Sequence, residues 1–181
     1  MPLIINETER AHWRYDPLVS VGPLRFGMSH EQASEAMEVE GFICDAIQTG
    51  LGHGRLDRRA EFRRPEALGG AAPVITYFLD EDTLAVVAVD GLCGPQVRLG
   101  ELRLAGQLPS ELTERVWDYV TERGMDRTLS VEGEVSSEHL GFLVRAQEAG
   151  EVRLSRPIFV NCNGWAHTVH DCIPVPEWNV R

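Results

Sequence analysis

Lysine is absent from the chain: all 17 basic residues are arginine. With the abundance of Ala, Gly, Val and Leu, this points to GC-rich bacterial coding and says little about chemistry. Positive charge is scarce as well. Against 17 arginines stand 28 acidic residues, for a formal net charge of −11. The average field repels DNA and RNA, so nucleic acid is not an expected partner, whereas a basic protein is favoured. No apolar run is long enough to cross a bilayer, so no membrane partner is expected. The opening segment Met1 to Arg10 lacks a basic n-region and a long apolar stretch, so a cytoplasmic location is expected. The four cysteines, Cys44, Cys93, Cys162 and Cys172, are too few and too scattered for a disulfide scaffold. In a reducing cytoplasm all four are expected as free thiols. A Gly-x-Ser-x-Gly elbow, a P-loop lysine and a full dinucleotide fingerprint are all missing. No cofactor is called for, and a binding role is favoured over an enzymatic one.

What is present is a well-patterned core. A chain of 181 residues suffices for one sizeable core, and residues 1–181 are read as one domain. Its centre is Val74 to Asp90, where two apolar runs flank the acidic turn Asp80-Glu81-Asp82. Both alternate positions of each run are mostly apolar, as in strands covered on both faces. An antiparallel hairpin is expected there.

Residues 1–20 show no clear period and read as an arm laid on the body. Ser29 and Gln32 form a capping box, with Met28 and Ala33 as a hydrophobic staple and Gly41 as the stop, which predicts a helix near 29–39. The segment Gly22-Pro-Leu-Arg-Phe-Gly-Met-Ser-His-Glu-Gln-Ala33 resembles the Gly-Met-[Ser/Thr]-x-x-[Glu/Gln]-[Val/Ala] opening of small α+β proteins. These include BamE-like lipoprotein domains, the repeats of beta-lactamase inhibitory protein and actinobacterial immunity-like proteins. The resemblance spans about a dozen residues. It implies a helical unit packed on an antiparallel sheet. No second copy of the motif and no lipobox accompany it.

Downstream, Val97 to Leu104 carries two short apolar alternations that slip at Gly100, where a bulge or tight reversal is expected. Pro109 and Ser110 open a helix over 110–123, with Leu112, Val116, Tyr119 and Val120 on one stripe. Thr128 to Glu132 reads as a short strand. Ser136 or Ser137 caps a third helix over 137–149 with Leu140, Leu143 and Val144 inward. Val152 to Val160 is strand-like, and Pro157 makes part of it an edge. Asn163-Gly164 predicts a two-residue hairpin between Ile158–Cys162 and Trp165–His170. Residues 173–181, with two prolines, look extended. The fold class is therefore α+β, a mainly antiparallel sheet with about three helices packed on it.

Three candidate sites follow. The run Arg55, Arg58, Arg59, Arg63, Arg64 follows the glycine-rich Gly50 to Gly54. If helical, it puts Arg55, Arg59 and Arg63 on one face, and with His53 they are placed to grip a small anionic ligand. Asp57, Glu61 and Glu66 balance the run if it is merely solvated. Asp80, Glu81 and Asp82 are the carboxylates placed to meet a basic partner. Cys162, His167, His170 and Cys172 invite a metal reading. A regular hairpin argues against it, because Cys172 lies seven residues along from Trp165, roughly 23 Å at about 3.3 Å each; a strand that broke after Ala166 would revive it. The same geometry excludes a Cys162–Cys172 disulfide.

The leading expectation is a non-catalytic cytoplasmic binding protein of the immunity or inhibitor kind, presenting an acidic surface to a basic, toxin-like partner. The alternative is a small enzyme or small-molecule binder of bacterial specialised metabolism, with a pocket beside the sheet using the Arg55–Arg64 run. A homodimer built on an edge strand or the terminal arm is a third possibility.

Overall fold

The computed structural model describes residues 4–67, 70–130 and 132–181. In chain order the first half runs β1 (His12–Asp16), β2 (Ser20–Val21), β3 (Leu24–Arg25), α1 (His30–Val39), β4 (Ile43–His53), β5 (Leu56–Arg63), β6 (Val74–Leu79) and β7 (Leu84–Val89). The second half runs β8 (Gln96–Leu99), β9 (Leu102–Arg103), α2 (Pro109–Glu122), β10 (Thr128–Leu129), β11 (Val135–Ser137), β12 (Phe142–Ala149), β13 (Val152–Val160), α3 (Val169–Cys172) and α4 (Val175–Trp178).

The β6–β7 hairpin is central, and every residue of both strands is buried. Alternation sorts their side chains onto two separate apolar clusters. Val74, Phe78, Leu84, Val87 and Val89 face one; Ile75, Tyr77, Leu79, Val86 and Ala88 face the other. Asp82 takes a positive φ of 59° in the acidic turn, a conformation Asp tolerates better than most residues.

The hairpin sits inside an eight-stranded antiparallel sheet of order β10-β11-β12-β13-β7-β6-β5-β4. A second sheet, β3-β2-β1-β8-β9, packs against its first face together with α1 and α2. The opposite face is covered by α3 and the C-terminal segment, through Val169, Cys172, Ile173 and Trp178. Only β1 and β8 pair in parallel among the described residues. The class is α+β with mostly antiparallel pairing, and α1 and α2 are the two long helices.

The residues expected to form an N-terminal arm supply β1, the middle strand of the second sheet. Trp13 and Tyr15 point inward while His12, Arg14 and Asp16 face out. The Tyr15 hydroxyl donates to the Leu140 carbonyl, tying the two sheets together. α1 starts as its capping box requires: Ser29 Oγ accepts from Gln32 N at 3.2 Å, and Gln32 Oε1 accepts from Ser29 N at 2.9 Å. Gly100, at φ +57°, makes the tight reversal between β8 and β9.

Four expectations are corrected. The helix over 137–149 is instead a turn followed by β12. Ser137 does cap, but it caps one turn: its Oγ accepts from Leu140 N and its carbonyl from Gly141 N. Gly141, at φ +63°, then redirects the chain; a Cβ there would lie 2.7 Å from the Val160 carbonyl. Phe142, Leu143 and Val144 are all buried, as in a strand covered on both sides.

The hairpin at Asn163-Gly164 does not form. β13 already has β12 on one side and β7 on the other, so a further strand has no edge to join. The strand ends at Val160, and Thr168 opens α3 by accepting from Asp171 N. This break brings Cys162 and Cys172 to a Cα separation of 6.1 Å, where they form a disulfide. The exclusion of that bond assumed an extended strand that does not exist. Finally, the tail is not wholly extended, since α4 forms within it.

Pro157 lies where β13 pairs with β12 alone; β7 pairs only with Ile158, Phe159 and Val160. Beyond that point the loop residues Gly106 and Gln107 bond to the Ser155 backbone in place of a strand.

Candidate functional site

The residues singled out in the sequence do not converge. The arginine run is strand β5, not a helix, so its members alternate between faces. Arg55 lies in the β4–β5 turn and pairs with Asp80 at 3.3 Å and Glu81 at 2.5 Å. Arg58 pairs with Asp82 at 2.9 Å. The acidic turn is thereby largely balanced by its neighbours. Arg59 and Arg63 flank Glu61 on one face, and Arg63 also reaches Asp45 at 2.7 Å. His53 ends β4 opposite Leu56. In the Cys162, His167, His170 and Cys172 cluster, the minor metal alternative of the sequence, the two sulfurs are bonded to each other. His170 stacks on Trp178 instead.

The most enclosed of the hollows among the described residues lies elsewhere, at the end of the central hairpin. The turn Asp90 to Pro95 forms its floor. Phe42, between α1 and β4, forms one wall; Ala71 and Pro73, leading into β6, form another. Ile5 and Ala11 close it from the N-terminal side, leaving a hollow of about 380 Å³. The lining is mainly apolar, and its size falls within the range of small-molecule pockets.

Buried arginines bond to this floor from behind. Arg10, only 6% exposed, donates to the carbonyls of Gly94 at 2.7 Å, Gly91 at 2.8 Å and Leu92 at 3.2 Å. Burial lowers the Arg10 pKa, and the nearby Glu7 charge offsets part of that. Asp90 is saturated. Its Oδ1 accepts from Leu92 N at 2.8 Å, Cys93 N at 3.0 Å and Cys93 Sγ at 3.3 Å. Its Oδ2 accepts from Gln147 at 2.8 Å and Arg156 at 3.1 Å. A carboxylate with that many donors has no lone pair poised to take a substrate proton. The Cys93 thiol, facing the hollow, is pushed up to about 12 by burial and then by the Asp90 charge. It is protonated at neutral pH, which removes its nucleophilicity.

Behind the floor the polar chain continues inward. Arg156 binds Glu177 at 2.8 Å, the Tyr77 hydroxyl donates to Glu177 at 2.7 Å, and Arg59 donates to the Tyr77 oxygen at 3.3 Å. Burial, then the Glu177 charge, raises the Tyr77 pKa, so the phenol stays neutral. Burial works against the Arg156 charge, yet Glu177 and Asp90 together hold its pKa above the usual arginine value.

Of the charged groups in the lining, Asp90 is saturated and exposed Glu9 accepts from Asn6 N at 3.1 Å, while Arg64 has no such polar partner among the described residues. Arg64 rests on the Phe42 ring, 4.6 Å from its centroid, with no carboxylate within 4 Å among the described residues. The sequence placed Arg64 in the basic run but gave no sign that it leaves the other arginines. Phe42, Asp90 and Cys93 likewise carry no local mark of convergence.

Comparison with family models, with curated proteins and with solved structures finds no match to this chain.

Proposed function

We propose that the chain is a small-molecule-binding protein whose ligand is a mostly apolar compound carrying one anionic group. The observation that carries this reading is the partly enclosed, mainly apolar hollow with Arg64, which has no carboxylate partner among the described residues, in its lining. Phe42, Leu92 and Pro95 would cover the apolar body, and the Arg64 guanidinium would take a carboxylate through charge-assisted bonds. Binding is favoured over turnover because Asp90 is saturated and the Cys93 thiol is protonated.

The test is thermal shift and calorimetry against a panel of medium-chain fatty acids and aryl acetates. A ligand at a hundredfold its dissociation constant adds about 2.7 kcal/mol of stability. Ala71→Trp should abolish the response by filling the hollow. Arg64→Gln should weaken acids while sparing the matching alcohols. A panel with no binder, or binding indifferent to both substitutions, refutes the reading.

The immunity-like reading is kept as a second proposal for a specific reason. Helix α1 exposes Glu31, Glu35 and Glu38, spaced i, i+4, i+7 on one side, beside Val39 at 85% exposure. A basic protein would dock there rather than on the balanced Asp80–Asp82 turn. Arginine at all three glutamates should abolish salt-sensitive binding of such a partner; unchanged binding refutes it. No described helix is long and apolar enough to cross a membrane. The disulfide weighs against the cytoplasmic expectation, because such bonds persist mainly in oxidising compartments. Mass spectrometry of acid-quenched, alkylated protein from cells decides the compartment question.

A further inference from the structure

The outward face of the five-stranded sheet carries a row of arginines that neither proposal uses. In the register of that sheet Arg14 of β1 pairs with Arg98 of β8, and Arg98 pairs with Arg103 of β9. Their neighbours Trp13, Val97, Leu99 and Leu102 pack against the core between the sheets, so all three arginines face outward. Adjacent strands lie about 4.8 Å apart, so the row spans roughly 10 Å. Like charges directly opposite each other are destabilising in a sheet. In a chain of net charge −11, nothing in composition demands that three cations be adjacent. Arg14 and Arg98 have no carboxylate within 4 Å among the described residues; Arg103 has Glu7 at 3.9 Å. Arg14 and Arg98 line an open hollow of about 720 Å³, walled on another side by Tyr119 and Met125.

We propose that this row is a second, separate binding site for a compact organic di- or triphosphate of nucleotide size. Guanidinium forks match phosphate oxygens, and three of them across 10 Å suit two or three linked phosphates. Met125 and the Tyr119 ring, one face of which carries the Arg123 guanidinium at 3.6 Å, border the space left for the non-charged remainder. A long polyanion fits poorly. Carboxylates border the row, with Glu7 3.9 Å from Arg103 and with Asp16 and Glu101 in the lining of the hollow itself, so a nucleic acid extending beyond the arginines would meet negative charge.

Calorimetry with pyrophosphate, ADP, adenosine and a 20-nucleotide single strand tests this on the full chain. ADP and pyrophosphate should bind, ADP the tighter, with affinity falling as salt rises; adenosine should not. Arg14→Gln and Arg98→Gln should each weaken ADP about tenfold or more. Arg153→Gln, on the other sheet, should leave it unchanged. The ligand-free Arg14 and Arg98 variants should melt at or above the wild-type temperature, since each loses a like-charge contact, and this separates lost binding from lost folding. The proposal is overturned by no response to pyrophosphate or ADP at millimolar concentration. Unchanged affinity in both variants, or tighter binding of the oligonucleotide than of ADP, overturns it equally.

Discussion

Replacing Arg156 by methionine should be among the most damaging single changes in the chain. The Arg156 side chain is 3% exposed, and the two carboxylates it serves, Asp90 and Glu177, are each 1% exposed. Methionine fills much of the volume but leaves two buried negative charges without their shared cation. Breaking a buried pair in this way costs about 3–5 kcal/mol. In a chain of this size each kcal/mol moves the melting temperature by about 2–4 °C, so the loss should approach 10 °C or more. Glu177→Gln is the informative contrast. The amide oxygen still accepts from Tyr77, and Arg156 keeps Asp90, so about 1–3 kcal/mol is expected. Urea titration reads both through the midpoint at constant slope. The Arg156→Met deficit should shrink on acidification, because protonating either carboxylate removes a stranded charge. A loss below about 1 kcal/mol at neutral pH, or a deficit that grows in acid, would refute the idea that this network is held by its charges.

Two further outcomes follow from single groups. Asp126 is subject to burial, which raises its pKa, but contacts from His139 and the backbone N–H groups of Glu138 and His139 outweigh that and leave it lowered. The stability this gives is present above the unfolded carboxyl value of about 3.9 and is lost as pH falls through the lower folded value. Asp126→Asn should therefore cost up to about 1 kcal/mol at pH 7 and almost nothing at pH 2, read from urea midpoints. With its pKa near 12, Cys93 should react with iodoacetamide at pH 8 over a hundredfold slower than free cysteine, and a ligand in the hollow should slow it further; peptide mass spectrometry gives the rate.

The parts of the fold legible in the sequence were those specified locally. The capping box at Ser29 and Gln32, the Pro109 helix start and the doubly apolar β6 and β7 needed no knowledge of distant residues. Segment 137–149 carries a helical pattern in sequence yet forms a turn and a strand, for a physical reason. A strand buried on both faces loses its alternation, and Leu140, Leu143 and Val144 then satisfy helical spacing equally well. The alternation in His12, Trp13, Arg14, Tyr15, Asp16 was visible but short, and its pairing partner β8 lies more than 80 residues away. The Asn163-Gly164 turn failed for a different reason. A turn signal is local, whereas the free edge a hairpin needs is a property of the whole sheet, and here both edges of β13 are occupied.

Both binding proposals share that dependence on long-range pairing. Arg64 is chemically the same as Arg55, Arg58, Arg59 and Arg63, and it differs only in what the fold sets beside it. Four of the five meet carboxylates of their own or neighbouring strands and turns; the fifth meets the ring of Phe42. Arg14, Arg98 and Arg103 are likewise unremarkable in sequence, and become adjacent only because β1 joins β8 in parallel at one register. Slipping that pairing by one residue would turn Arg98 toward the core and Val97 toward water. The same burial of Trp13, Tyr15, Val97 and Leu99 that fixes the register therefore fixes the arginine row. An arginine row imposed in this way carries a repulsive cost in the free protein. That cost makes it a candidate for function rather than for stability, and the melting behaviour of Arg14→Gln and Arg98→Gln measures it directly.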